Sequence, residues 1–125
     1  MIEKSIDTEE AAIHTQLKQV FLDQEVKMRE IRKHEDKIND VLALGSMEQT
    51  FFSDSLGLQL DDQTQDFFHQ STEESRWLSR EELDYLEEKS EHLEKEKRQL
   101  LEEEEQLLRK RKELFSKERS QPQWD

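Results

Sequence analysis

Cysteine is absent, proline occurs once and glycine twice in 125 residues. Without cysteine there is no disulfide framework, no thiolate metal site and no thiol chemistry. With so little proline and glycine, few tight turns are possible and helices run on with little to stop them. Long apolar runs are also missing. Nothing approaches the ~18 residues of a transmembrane helix, so no membrane insertion is expected. The opening MIEKSIDTEE is acidic and lacks an apolar h-region, so it does not read as a signal peptide. Hydrophobic residues make up 31%, too few for a sizeable globular core.

Charge is abundant. Charged residues make up 41% and the net charge is −13. An acidic chain of this kind is repelled by nucleic acid and by anionic membrane, so no nucleic-acid partner is expected.

The most regular feature is a leucine repeat. Leu86, Leu93, Leu100, Leu107 and Leu114 recur every seven residues. Sustained over this length, the repeat predicts a packed helical seam. With these leucines at heptad position d, position a holds Leu83, Ser90, Lys97, Glu104 and Arg111. A parallel dimer wants apolar residues at both a and d. In an in-register parallel homodimer Lys97 and Glu104 would each meet their own copy and repel it. The apolar width is instead expected from position e, where Leu101, Leu108 and Phe115 fall. Leu100, beside Leu101, marks the widest part of that stripe.

A first helix is expected over 7–45, opened by the capping pattern of Asp7 with Glu10 and ended or kinked at Gly45. In heptads, Leu17, Gln24, Ile31 and Ile38 take d. His14, Phe21, Met28, Glu35 and Leu42 take a. Ile13, Val20 and Val41 widen the face at g. This is the broad stripe of a bundle helix. Gln24 and Glu35 interrupt it and serve register.

Residues 46–71 change character. From Ser53 to Ser75 there is no lysine or arginine, and four of the six phenylalanines stand here, Phe51, Phe52, Phe67 and Phe68. A solvated linker would not hold so many large apolar groups. The stretch reads as an acidic aromatic elbow that caps the helix pair or docks a partner, with Trp77 and Tyr85 as further docking candidates. Asp61 or Asp62 is placed to cap a short helix through Phe67 and Phe68.

The zipper-like helix is expected over 72–119, with Ser79 and Glu82 as a capping box and Ser71 with Glu74 as an earlier start. Residues 1–6 are expected to fray, and 120–125 form a polar tail containing Pro122.

Charge blocks set the direction of pairing. Residues 7–25 carry five acids against one base, and residues 26–40 five bases against four acids. Residues 81–105 carry twelve acids against four bases, and residues 106–119 six bases against two acids. An antiparallel pair sets opposite blocks beside each other; a parallel pair sets acid beside acid. On this basis Ile13 and Leu17 lie near Leu108 and Phe115, and Leu42 and Leu44 near Leu83 and Leu86. Arg109 and Arg111 answer Glu9 and Glu10.

No site for chemistry emerges. His14, His34, His69 and His92 lack metal-ligand spacing, although His14 and His92 could face one another in the hairpin. The run Glu102–Glu105 reads as a solvated helix face. No phosphate loop exists. The basic tetrad Arg109–Lys112 reads first as a charge-pairing end and second as an import signal. Ser71 and Thr72, ahead of Glu73 and Glu74, are candidate phosphorylation sites at a helix start.

The sequence therefore predicts an all-α protein with two long helices in an antiparallel coiled-coil hairpin, part of an oligomeric helical bundle. No catalytic, cofactor or metal site is expected. The expected partner is protein, either a second copy or a helical heteromeric partner. The expected role is a structural subunit of an intracellular complex, in cytoplasm or nucleus, with a regulatory binding module as the alternative. The interface is expected at Leu17, Phe21, Met28, Ile31, Ile38, Leu42, Leu83, Leu86, Leu93, Leu100, Leu101, Leu107, Leu108, Leu114 and Phe115.

Overall fold

A computed structural model describes the backbone of residues 2–120 and the side chains of residues 6–117. It holds two α-helices, α1 (Ile2–Leu56) and α2 (Asp62–Ser120), packed against each other as an antiparallel hairpin. The all-α class and the direction of pairing are thus as the charge blocks predict. The chain divides into two compact units, one of residues 1–30 with 93–125 and one of residues 31–92.

Helix α1 is longer than expected. Residues 2–6 are helical, and Ile6 is buried rather than frayed. The pattern of Asp7 with Glu10 lies inside the helix. Gly45 neither ends nor kinks it: no glycine has positive φ, and α1 continues eleven residues further, to Leu56. A mid-helix glycine costs only about 1 kcal/mol, which packing readily outweighs. Gly45 sits on the seam, where an added Cβ would come 3.9 Å from Ser79 Oγ.

The elbow shrinks accordingly to residues 57–61. The Gly57 and Leu58 amides close the last turn of α1 onto Ser53, Asp54 and Ser55 carbonyls. Asp61 then caps α2: Thr64 N donates to Asp61 Oδ1 at 2.8 Å and Gln65 N to Asp61 O at 2.9 Å. The cap is the one expected, but the helix it opens is not short. It runs on through Ser71 and Ser79, so neither of those starts a helix. The polar tail 121–125, with Pro122, lies outside the described residues.

In the first unit the seam is legible from burial. On α1, Ile6, Ile13, Leu17 and Val20 are buried and Gln24 and Lys27 half-buried or nearly so; on α2, Leu93, Leu107 and Leu114 are buried. Ile13, Leu17, Val20, Leu107 and Leu114 form one cluster. Spacings alternate between three and four, as a 3.5-residue period requires. This corrects both stripes. On α2 the seam partners of the d leucines are the polar a positions Ser90, Lys97 and Glu104, each half-buried. Leu101, Leu108 and Phe115 at e stay outside. On α1 the seam uses the residues read as d and g. Those read as a, namely His14, Phe21, Met28, Glu35 and Leu42, turn outward. Relabelled from its own seam, α1 has Leu17 at a, Val20 at d and Phe21 and Met28 at e. Long polar side chains fill a because their stems lie along the seam while their heads reach out. Leu100 is only half-buried, at the edge of an open groove. Leu93 is the better-buried leucine, although Leu100 is expected at the widest part of the stripe.

In the second unit Ile31, Leu86, His34 and Thr72 are buried, and Ile38, Val41, Gly45 and Leu83 half-buried. Around Gly45 and Ser79 the three-four alternation gives way to two successive fours on each helix, at 41, 45 and 49 and at 75, 79 and 83. Such a stutter locally unwinds a coiled coil.

Candidate interaction surface

More large apolar side chains lie outside the hairpin than in it. Nine hydrophobic residues are buried and sixteen large ones exposed among the described residues. Where the excess falls differs between the units.

The first unit has a polar rung across its seam. Gln24 Nε2 donates to Glu104 Oε2 at 2.9 Å. Lys27 Nζ reaches Glu96 Oε2 at 2.6 Å and Glu30 Oε2 at 3.1 Å. The bond that Lys27 donates to Glu96 holds its ammonium above the usual pKa of 10.5, with desolvation partly opposing. Of the two polar interruptions expected to serve register, Gln24 bonds across the seam, whereas Glu35 is exposed.

The two sides of this seam are unlike. In an antiparallel pair the g positions of both helices border one side and the e positions the other. On the g side the residues lining a groove of about 360 Å³ include Asp23, Glu30, Glu96 and Glu103, with Val26 and Leu100 among them. A second, of about 350 Å³, is lined by Glu9, Gln16, Lys110 and Lys117. Lys110, rather than Arg109 or Arg111, therefore borders the groove with Glu9. Arg109 pairs with Glu105 at 2.9 Å, and the Arg111 guanidinium stacks 5.9 Å from the Phe115 ring centre. On the e side stand Phe21 and Met28 from α1 and Leu101, Leu108 and Phe115 from α2, all more than a third exposed. Five of the expected interface residues thus form a second apolar face.

The second unit holds a buried imidazole. One ring nitrogen of His34, Nε2, lies 2.7 Å from the Leu86 carbonyl. A carbonyl only accepts, so Nε2 carries the proton. Nδ1 is buried with no partner among the described residues. The spacing argument gave His34 no role, and the signal that could have found it is its place at a seam position seven residues before Val41. His14 and His92 belong to different units. Both are exposed.

Beside the stutter, Leu42, Gly45, Ser79 and Leu83 line a groove of about 490 Å³. Leu42 and Leu83 thus come together as expected, while Leu44 is exposed. Near the turn, Phe51 meets Phe52 and Phe68, and Phe67 meets Phe68, edge to face at 5.6, 6.4 and 5.8 Å. Phe52 and Phe68 are half-buried, Phe51 and Phe67 exposed. Trp77, Leu78 and Tyr85 are also exposed. Thr72 is buried mid-helix and donates to the Phe68 carbonyl at 2.7 Å, so it is neither accessible nor at a helix start.

Among the described residues no cluster of three His, Asp or Glu side chains could hold a metal, and no helix is long and apolar enough to cross a membrane. No family model, no curated protein and no solved structure matches the chain.

Proposed function

We infer that the chain is a non-enzymatic coiled-coil subunit that mediates protein–protein assembly within a larger intracellular complex of cytoskeletal, centrosomal, chromosomal or trafficking type. The observation that carries this reading is the second apolar face of the first unit. Phe21, Met28, Leu101, Leu108 and Phe115 are not needed to hold the hairpin seam, yet they recur in heptad phase along it. An exposed apolar face of this kind marks an interaction surface. Helix-in-groove recognition uses the same spacing of anchors.

A second reading, a regulatory module that captures one partner, rests on a different observation. In the second unit Phe51, Phe67, Trp77 and Tyr85 stand exposed, and aromatics are the usual hot spots of transient interfaces.

Pull-down from native extract with quantified stoichiometry separates the two. A fixed complex, lost on Leu108→Glu and unaffected by Trp77→Ser, supports the subunit. A substoichiometric, competable complex with the opposite sensitivity supports the regulator. Capture that neither substitution changes would sink both.

A further inference from the structure

We propose that the apolar face of the first unit docks a second copy of this chain, with the two hairpins parallel so that α1 of each lies on α2 of the other. This deepens the assembly reading above and rests on it, by naming the partner.

The argument is charge. The e-side face is rimmed by the b positions, Lys18 and Glu25 on α1 and Arg98 and Glu105 on α2. The shared cluster of Ile13, Leu17, Val20, Leu107 and Leu114 places Lys18 within about one helical turn of the level of Glu105. The bonds Gln24 to Glu104 and Lys27 to Glu96 place Glu25 within about one helical turn of the level of Arg98. A two-fold axis along the helices brings α1 of one copy over α2 of the other at unchanged level. Lys18 then meets Glu105 of the second copy, and Glu25 meets Arg98. Both contacts are opposite in sign, and the symmetry makes each twice. The present neighbours of these carboxylates, Arg29 at 3.8 Å from Glu25 and Arg109 at 2.9 Å from Glu105, are exposed one-turn pairs that hold them weakly.

The apolar residues agree. In the register of the Gln24–Glu104 bond, Phe21 of one copy falls between Leu101 and Leu108 of the other and Met28 beside Leu101, with each charge pair within about one turn of level. The alternative two-fold, across the helices, sets α1 on α1. It matches Lys18 with Glu25 but carries Phe115 past the end of the apolar face. The parallel docking covers all five side chains. It keeps the two α2 helices diagonal, so Lys97 and Glu104 do not meet their own copies.

The test uses the full chain, whose mass of 15.2 kDa distinguishes monomer from dimer in equilibrium sedimentation. Wild type should dimerise. Leu108→Glu, at an exposed position, should weaken association by about a hundredfold with helix content unchanged, and Tyr85→Glu should leave it intact. Lys18→Glu and Glu105→Lys should each weaken it by about tenfold, and the double variant should recover it. In a cysteine-free chain, single cysteines report direction. Phe21→Cys mixed with Leu108→Cys should give a mixed disulfide, while Phe21→Cys alone should give none. A self-crosslink of Phe21→Cys without the mixed one, or failure of the double variant to recover, overturns the parallel docking. A helical monomer at every concentration overturns the second copy as partner. The assembly reading survives that last result if Leu108→Glu still abolishes capture of a stoichiometric partner from native extract, and falls with it if capture is unchanged.

Discussion

The two units are built from the same two helices, yet they place their apolar residues differently. The first holds a continuous cluster of Ile13, Leu17, Val20, Leu107 and Leu114, a polar rung beside it and a second apolar face outside. The second holds an imidazole, a threonine and a facing glycine and serine along its seam, with Leu44, Met47, Phe51, Trp77 and Tyr85 outside. Helix length therefore does not track core quality. The first unit is held by buried area, each leucine contributing about 2 kcal/mol. The second buries fewer apolar side chains, Ile31 and Leu86, and adds a cap and a cluster of rings near the turn.

The largest expected effects sharpen this contrast. Leu17 is 3% exposed within the cluster. Leu17→Ala should cost about 2–5 kcal/mol, read as a shift in the urea midpoint. Leu93→Ala should cost more than Leu100→Ala, because Leu100 borders an open groove. Amide exchange should be slowest at residues 13–20 and faster at 41–52, where few apolar groups are buried. Equal protection in the two stretches would break the comparison.

His34→Leu tests the second unit from the other direction. It removes a buried nitrogen without a partner and adds apolar contact. An unsatisfied buried group costs about 1–3 kcal/mol, so this variant should raise the melting temperature. A fall would mean that the bond to the Leu86 carbonyl outweighs the orphaned nitrogen. Gly45→Ala should also stabilise, by about 0.5–1 kcal/mol. The new methyl would meet Ser79 Oγ at an ordinary 3.9 Å, and the glycine's backbone freedom would be lost from the unfolded chain. Destabilisation instead would show that the stutter needs the small residue for close approach.

Much of this was legible in the chain itself. Seven-residue spacing located the α2 leucines, and the opposed charge blocks gave the antiparallel direction. What misled was the assumption that a seam must be apolar throughout. Ser90, Lys97 and Glu104 read as an argument for a d/e stripe, but a half-buried seam admits long polar side chains with a partner such as Gln24. The glycine at 45 and the base-free, phenylalanine-rich stretch after it predict an elbow for a different reason, a local stop signal and a change of composition. Local stop and capping signals at Gly45, Ser71 and Ser79 are overridden by continuous helix, whereas the one at Asp61 does cap α2. The second apolar face could not be recognised until the seam had been assigned, because Leu101 and Leu108 carry the same heptad phase as a core residue would.

The smallest expected effect concerns that cap. The Asp61 carboxylate accepts from Thr64, which holds its pKa below the ordinary 3.8. Folding therefore favours the ionised form, which also suits the positive end of α2. The stabilisation is fully present above the ordinary carboxylate range and is lost as pH falls through the lowered folded-state value. Asp61→Asn keeps an acceptor for the Thr64 amide but cannot titrate. On acidification the wild type should lose protection at the first amides of α2 more than Asp61→Asn does, with the two converging only when Asp61 is protonated. Because Asp61 is exposed, the loss should be confined to those amides, read by local exchange, and should leave residues 13–20 untouched. Identical acid profiles in the two proteins would mean that the charge of the cap does nothing. The turn would then be held by the rings of Phe51 and Phe68 packing across it, and the second unit would owe more to its few apolar contacts than its sparse interior suggests.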